Sequence, residues 1–412
     1  MDNTGGIFVM KELEKFTNSP NFLEKYYTDF NVSNRILLTG HSHQALPDTA
    51  KNGLMQCWKD AAEYVDNKWV KVFEKSDEVR TGFSELTNDD KGYYALASNT
   101  HELLIRFLSS LDLKNRRKII TSDMEFHTVR RQLDRLSETD IEIIKVPAMP
   151  AETVSERISN LIDNDTACVI ISKVYYKNGR IVENLGHIAQ QCNHFGAELL
   201  VDVYHALNIL EFDIEKEGLN DCYLVGGGYK YCQLGEGNCF LRFPKNSKAR
   251  PVITGWFSEF SLLASEKSTG LTNYGNDHFR FAGSTYDPCS HYRAAEVFKF
   301  FREMELHPAL LRAVNQQQIA IMADYFDNCD FDPTVISRDN EIPLSKFGGF
   351  LVLRSKYARE INKKLFDFNI FSDYREDFLR LGPAPYISNN KLSIAMETLE
   401  EIVKRINGIN HE

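Results

Sequence analysis

The chain has 412 residues, room for two or three domains of ~150 residues or for one large α/β domain with a smaller companion. Hydrophobic residues make up 43% and charged residues 26%, a globular balance that excludes a disordered chain. A formal charge of −10 repels phosphate backbones, so no nucleic-acid partner is expected, although a local basic pocket for a small anion is compatible with it.

At the N-terminus, MDNTGGIFVMKELEKF lacks the basic stretch and apolar core of a secretory signal. No run further on reaches the ~20 apolar residues that span a bilayer, so a cytoplasmic protein away from membranes is expected. Residues 1–35 contain helix-like stretches. In the middle of the chain short β-branched apolar runs alternate with amphipathic ones. RKIITSD (117–123), IEIIKVP (141–147), ACVIISKV (167–174), ELLVDVY (198–204) and DCYLVGG (221–227) read as strands covered on both faces. Between them, 128–138, 152–163 and 183–196 have helical spacing, and the last ends in Gly196, a residue suited to a helix end. This alternation predicts a mainly parallel sheet with right-handed crossovers. After about residue 300 helical segments dominate (290–304, 309–328, 356–369, 391–407), with one strand at GGFLVLRS (348–355), which predicts a second, α+β domain. The eight cysteines form no CxxC pair and several sit in apolar runs, so they read as reduced core thiols, and no metal site is expected.

Ligands of doubly wound sheets sit beyond the carboxyl ends of the strands, so polar residues just after the apolar runs are the candidates. Ser98-Asn99-Thr100 opens a helix-like run; it caps that helix or holds a phosphate on its free N–H groups. Phe126, just past KIITSD, packs in the core or stacks on a flat cofactor. Asp202 ends a strongly apolar strand, where a carboxylate caps the next helix or meets a buried cation, and His205 follows it by three residues. Lys230 follows three glycines at the mouth of the sheet; it is a solvated loop lysine or, partly removed from water, a nucleophilic amine suited to Schiff-base chemistry. Arg380, in FLRLGPAP, needs an anionic partner and offers a two-pronged fork for a carboxylate or a salt bridge.

In this order the five groups resemble the class V, fold-type-I enzymes that use pyridoxal 5′-phosphate (PLP). Within them the kynureninase family is the nearest likeness, carried by GHSHQALP (40–47), ISKVYYKNGRIVE (171–183), GGGYKYCQLGEGN (226–238), GWF (255–257), FAGST (281–285) and FSDYREDFLRLGPAPYIS (371–388). The resemblance implies an N-terminal segment (1–45) packing with the small domain, a large PLP-binding domain (46–305) and a small C-terminal α+β domain (306–412). It implies that Lys230 holds PLP as a Schiff base, that Asp202 binds the ring nitrogen, and that His205 lies near the ring oxygen. Asn99, Thr100 and Tyr229 would hold the phosphate and Phe126 would stack on the ring. Trp256 and Thr285 would reach the phosphate across a homodimer interface, and Arg380, with His41 and Ser42, would face the amino-acid substrate. The implied reaction is hydrolytic Cβ–Cγ cleavage of kynurenine or a related β-acyl amino acid to alanine and an aryl acid. The sequence departs from the kynureninase pattern at Val129, His41-Ser42-His43 and Tyr286-Asp287-Pro288. These departures leave a class V aminotransferase or C–S lyase as the alternative. A cysteine desulfurase would need a reactive thiol on a mobile loop, for which Cys329 is the nearest candidate. A non-catalytic protein on the same fold would have no need of Asp202, Lys230 and Arg380 together.

Overall fold

The computed structural model describes residues 13–262 and 270–409. Residues 1–12 and 410–412, where the expected terminal segments begin and end, lie outside it. A short strand β1 (Ile36–Leu37) leads into helices α1 (Ala50–Tyr64) and α2 (Lys68–Thr87). Next come β2 (Gly92–Ala97), α3 (Thr100–Leu108), β3 (Lys118–Ser122), α4 (His127–Leu136), β4 (Glu142–Val146) and α5 (Val154–Ser159). The core continues through β5 (Thr166–Ser172), α6 (Leu185–Phe195), β6 (Glu198–Asp202), β7 (Tyr223–Gly227) and β8 (Cys239–Pro244).

These strands form a seven-stranded sheet in the order β2-β8-β7-β6-β5-β3-β4. All neighbours are parallel except those of β8, which runs antiparallel to both β2 and β7. Every residue of β3, β5 and β7 is buried. That is the pattern of strands covered by helices on both faces, and it is why the runs read as continuous apolar stretches rather than alternating ones. The parallel strands all deliver their carboxyl ends to one edge of the sheet, where loops of functional residues collect.

The C-terminal part holds α7 (Cys289–Glu303), α8 (Pro308–Asp327), β9 (Leu351–Arg354), α9 (Ala358–Asp367), β10 (Ile370–Phe371), β11 (Asp373–Arg375), β12 (Phe378–Leu381) and α10 (Asn389–Ile409). Strands β11, β12 and β9 form an antiparallel sheet in that order. β1 pairs in parallel with β10, so the chain just before His41 is tied to this small sheet. Thr39 and Gly382 bridge in the same sense. Among the described residues no helix is long and apolar enough to cross a membrane.

Candidate active site

At the carboxyl ends of β5, β6 and β7 a hollow is lined by Thr100, Phe126, Ser172, Asp202, His205, Tyr229 and Lys230, together with Val174, Tyr176 and Tyr204. Five separate loops supply these side chains. Lys230 comes from the turn after β7, where the backbone passes so close to its neighbours that a Cβ on Gly227 would lie 2.5 Å from the Tyr204 ring. Only glycine fits there, and the tight path carries Lys230 inward.

The Lys230 Nζ lies 3.0 Å from His205 Nε2 and is ringed by Tyr204, Tyr229 and Phe126, with centroids at 5.1, 5.3 and 5.6 Å. Only 7% of the residue is exposed. Burial, reinforced by the Arg380 charge and opposed by Asp202, lowers its amine to about 7. Burial, with Lys230 and Arg380 adding to it, also holds His205 well below the usual histidine value, so the imidazole is neutral and can accept from Nζ. Its Nδ1 is buried without a partner. Asp202 Oδ1 accepts the Tyr204 N–H at 2.9 Å. Desolvation raises the Asp202 carboxyl to about 6, against that hydrogen bond and the Lys230 charge.

Behind Asp202 sits a group that sequence reasoning missed. Glu125 is 3% exposed; its Oε1 accepts from Ser122 Oγ (2.6 Å) and its Oε2 from Ser172 Oγ (2.5 Å). Burial raises it to about 7, and the nearby Asp202 pushes the same way. Ser172 is the cross-strand partner of Asp202, so the two carboxyl groups flank one step of the sheet.

On the small-sheet side, Arg380 is 2% exposed. Its Nη2 donates to Asp373 Oδ2 at 2.5 Å and its Nη1 to the Tyr176 carbonyl. Its Nε is buried without a partner. Asp373 stands directly opposite Arg380 in the β11–β12 register, which explains the pair. His41 is fully buried, 4.5 Å from the Phe350 ring and 3.7 Å from Asp373 Oδ2, with both ring nitrogens unbonded. Burial, then the Arg380 and Lys230 charges, hold it well below its usual value.

Phe126, Asp202, His205, Tyr229, Lys230 and Thr100 therefore converge, with Arg380 close enough for its charge to act on Lys230 and His205. Four other candidates lie apart. Asn99 caps α3: its Oδ1 accepts the Glu102 N–H at 3.0 Å. Ser42 Oγ faces the exposed His43 (3.3 Å to Nδ1), whose ring stacks on Tyr229 at 4.7 Å. Trp256 Nε1 donates to Thr285 Oγ1 (3.3 Å), and Thr285 lines a second hollow with Ser98, Glu102 and Arg106. Val129 is buried in the core with Leu133 and Ile119.

No family model matches the chain. An uncharacterized aminotransferase of Bacillus subtilis, YcbU, is 21% identical over 371 residues, 88% of this chain and 93% of that protein. Kynureninase of Pseudomonas fluorescens is 28% identical over 128 residues, covering 29% of this chain and 30% of that enzyme. Among solved structures, a C-DES variant with glycine covalently linked to its PLP cofactor superposes with a TM-score of 0.77 at 13% identity, over 92% of this chain and 98% of that one. A cysteine desulfurase from Thermococcus onnurineus gives 0.77 at 15% identity, over 93% and 98%. This chain shares the fold of these two solved structures, a large, mainly parallel sheet flanked by helices with a smaller sheet beside it.

Proposed function

We propose that the protein is a PLP-dependent enzyme acting on an amino acid, with Lys230 as the residue that carries the cofactor. The observation that supports this best is the buried, low-pKa Lys230 amine, 3.0 Å from a neutral His205 and facing Asp202 across one hollow. The residues fit the group: a half-buried carboxyl for a protonated ring nitrogen, an aromatic face at Phe126, and the start of α3 at Thr100 for an anion. Bound there, PLP supplies an electron sink for negative charge at the substrate Cα.

The protein's own groups do the rest. Asp202 would hold a proton on the ring nitrogen of the bound group, a role that rewards its ionised form once a cation is present. Lys230 Nζ would take the Cα proton; its lowered pKa makes it a base near neutral pH. Neutral His205 accepts a hydrogen bond from Nζ and keeps it aimed. Arg380 orients the α-carboxylate, and fixing that group sets which Cα bond stands perpendicular to the ring.

Two outcomes of this chemistry are carried forward. Hydrolytic cleavage of a β-acyl amino acid draws on the partial likeness to kynureninase. Transamination or C–S bond cleavage draws on the long alignment with the B. subtilis aminotransferase and on the fold neighbours. A persulfide-forming desulfurase is disfavoured by the thiols: all eight cysteines are shifted upward, chiefly by burial, and Cys329 Sγ is bonded to the Tyr325 carbonyl. The test is reconstitution with PLP, borohydride reduction and peptide mapping. The adduct is expected on Lys230, and Lys230→Ala should remain colourless; an adduct elsewhere, or none, defeats the proposal. Product analysis with L-kynurenine, L-cystine and an amino acid plus a 2-oxo acid then separates the outcomes.

A further inference from the structure

The carboxylate end of the hollow carries more charge detail than the proposed function uses. Asp373 lies between two guanidiniums: Oδ2 accepts from Arg380 Nη2 at 2.5 Å and Oδ1 from Arg375 Nη1 at 2.7 Å. The Asp373 side chain is 9% exposed, that of Arg380 3% and that of Arg375 42%. Neighbouring cations are already paired, Lys177 with Glu376 and Arg180 with Glu152. Arg354 opens on a different cavity, beyond Phe350. The imidazole of His41 is neutral and lies 3.7 Å from Asp373. Two cations and one anion thus leave one net positive charge. Among the buried polar atoms left unbonded there are Arg380 Nε and the two ring nitrogens of His41.

We infer that Asp373 decides which carboxylates this end accepts: it braces the Arg380 fork and cancels one of the two positive charges, so the site takes amino acids with a single carboxylate and discriminates against dicarboxylic ones. This rests on the reading of the hollow as a PLP site for an amino acid. One α-carboxylate brings the cluster to neutrality. A second carboxylate on the same molecule meets Asp373, and the cations beside it, Arg375, Arg380, Lys177 and Arg180, are each already in an ion pair. Like charges held together away from water are strongly unfavourable, so the exclusion is electrostatic rather than steric. The brace has a second effect. With Nη2 on Asp373 and Nη1 on the Tyr176 carbonyl, the guanidinium plane is fixed before any substrate arrives, which lowers the ordering cost of binding.

Asp373 is therefore a positioning and specificity residue, and its test reads binding and charge preference rather than turnover alone. The PLP-loaded protein is titrated with L-alanine and with L-aspartate at fixed ionic strength, following the cofactor's visible spectrum, and PLP content is measured in parallel. Wild type should favour alanine. In Asp373→Asn, with PLP content retained, the alanine-to-aspartate preference should fall by about tenfold or more, because the cluster then carries two uncompensated charges. Asp373→Glu, which keeps the charge, should restore most of the preference, an outcome that a merely structural role would not give. A folded, PLP-loaded Asp373→Asn with an unchanged ratio overturns the inference. Should that variant not fold, Arg375→Gln decides: removal of this half-exposed cation should sharpen discrimination against aspartate about threefold, and no change overturns the inference. Wild-type protein that takes up no PLP sinks the proposed function itself, and is told apart from failure of the inference by the PLP content.

Discussion

Lys230 and Glu125 are displaced from their ordinary pKa values in opposite directions by one cause, burial near the carboxyl ends of the sheet. The consequences for stability have opposite signs. In the cofactor-free protein, Lys230 titrates near 7 when folded and near its ordinary ~10.4 when unfolded. Between those values the unfolded chain binds the extra proton, so stability rises with pH, by about 1 kcal/mol per pH unit at the steepest. Glu125 titrates near 7 when folded and near its ordinary ~4.3 when unfolded. There the folded chain holds the extra proton, so stability falls as pH climbs from about 4 to about 7. Chemical denaturation across pH is the measurement. Lys230→Met should flatten the rise above neutrality, and Glu125→Gln should remove part of the fall below it, Asp202 supplying the rest in the same direction. If Glu125→Gln keeps the full acid-side slope, the Glu125 carboxyl is ionised in the native protein. The free-base amine also governs cofactor uptake: the rate of PLP binding should level off above about pH 7 instead of climbing toward 10.

At the scale of elements, β8 is the strand that breaks the parallel pattern, and a buried ion pair anchors it. Arg242 and Asp89 are both fully buried, with Nε–Oδ2 at 2.8 Å. Arg242 Nη1 also donates to the carbonyls of Asn220 (2.7 Å) and Cys222 (2.8 Å), and Tyr94 Oη to Asp89 Oδ2 (3.0 Å). Gly92 lets the guanidinium pass, for a Cβ there would stand 2.3 Å from Nε. Asp89→Asn leaves a buried cation without its anion and should cost roughly 3–5 kcal/mol, read as a lower Tm, with PLP still bound to the folded fraction. This arrangement also shows why the elements were unevenly legible. β3, β5 and β7 stand out in sequence because every residue is buried and the runs are dominated by β-branched and apolar side chains, whereas β4 (EIIKV), expected to be covered on both faces, is an edge strand that exposes Glu142 and Lys145. β2 (GYYALA) has a mixed burial pattern and β8 (CFLRFP) contains an arginine, so neither looks like a core strand. Helices α1 and α2 expose much of their surface, which blurs their apolar spacing. In β12 the need of Arg380 for an anion is readable from FLRL, but that Asp373 supplies it depends on a hairpin register that the sequence does not announce.

For the whole molecule, the site spans the chain from His41 to Arg380, and the pairing of β1 with β10 brings these distant segments to one place. Sequence order could suggest the set of residues; their convergence depends on the sheet order, on the β1–β10 pairing and on the Arg380 hydrogen bond to the Tyr176 carbonyl. Within one chain Trp256 hydrogen-bonds to Thr285 beside a hollow separate from that of Lys230. The two hollows meet at the β2–α3 turn, Ser98 lining one and Thr100 the other. A single chain also leaves large apolar side chains in water along α1, α2 and their junction: Met55, Trp58, Val65 and Val70 are 53%, 75%, 70% and 63% exposed. A concentration of such residues marks an interface. We propose a second copy of this chain as the occupant, the homodimer that the resemblance implies. Trp58→Glu combined with Val70→Glu introduces charge on that face without touching either hollow. Sedimentation should shift from two chains to one, and PLP should leave the variant faster on dilution. A variant that still sediments as two chains and keeps its cofactor would place the contact on another face of the molecule.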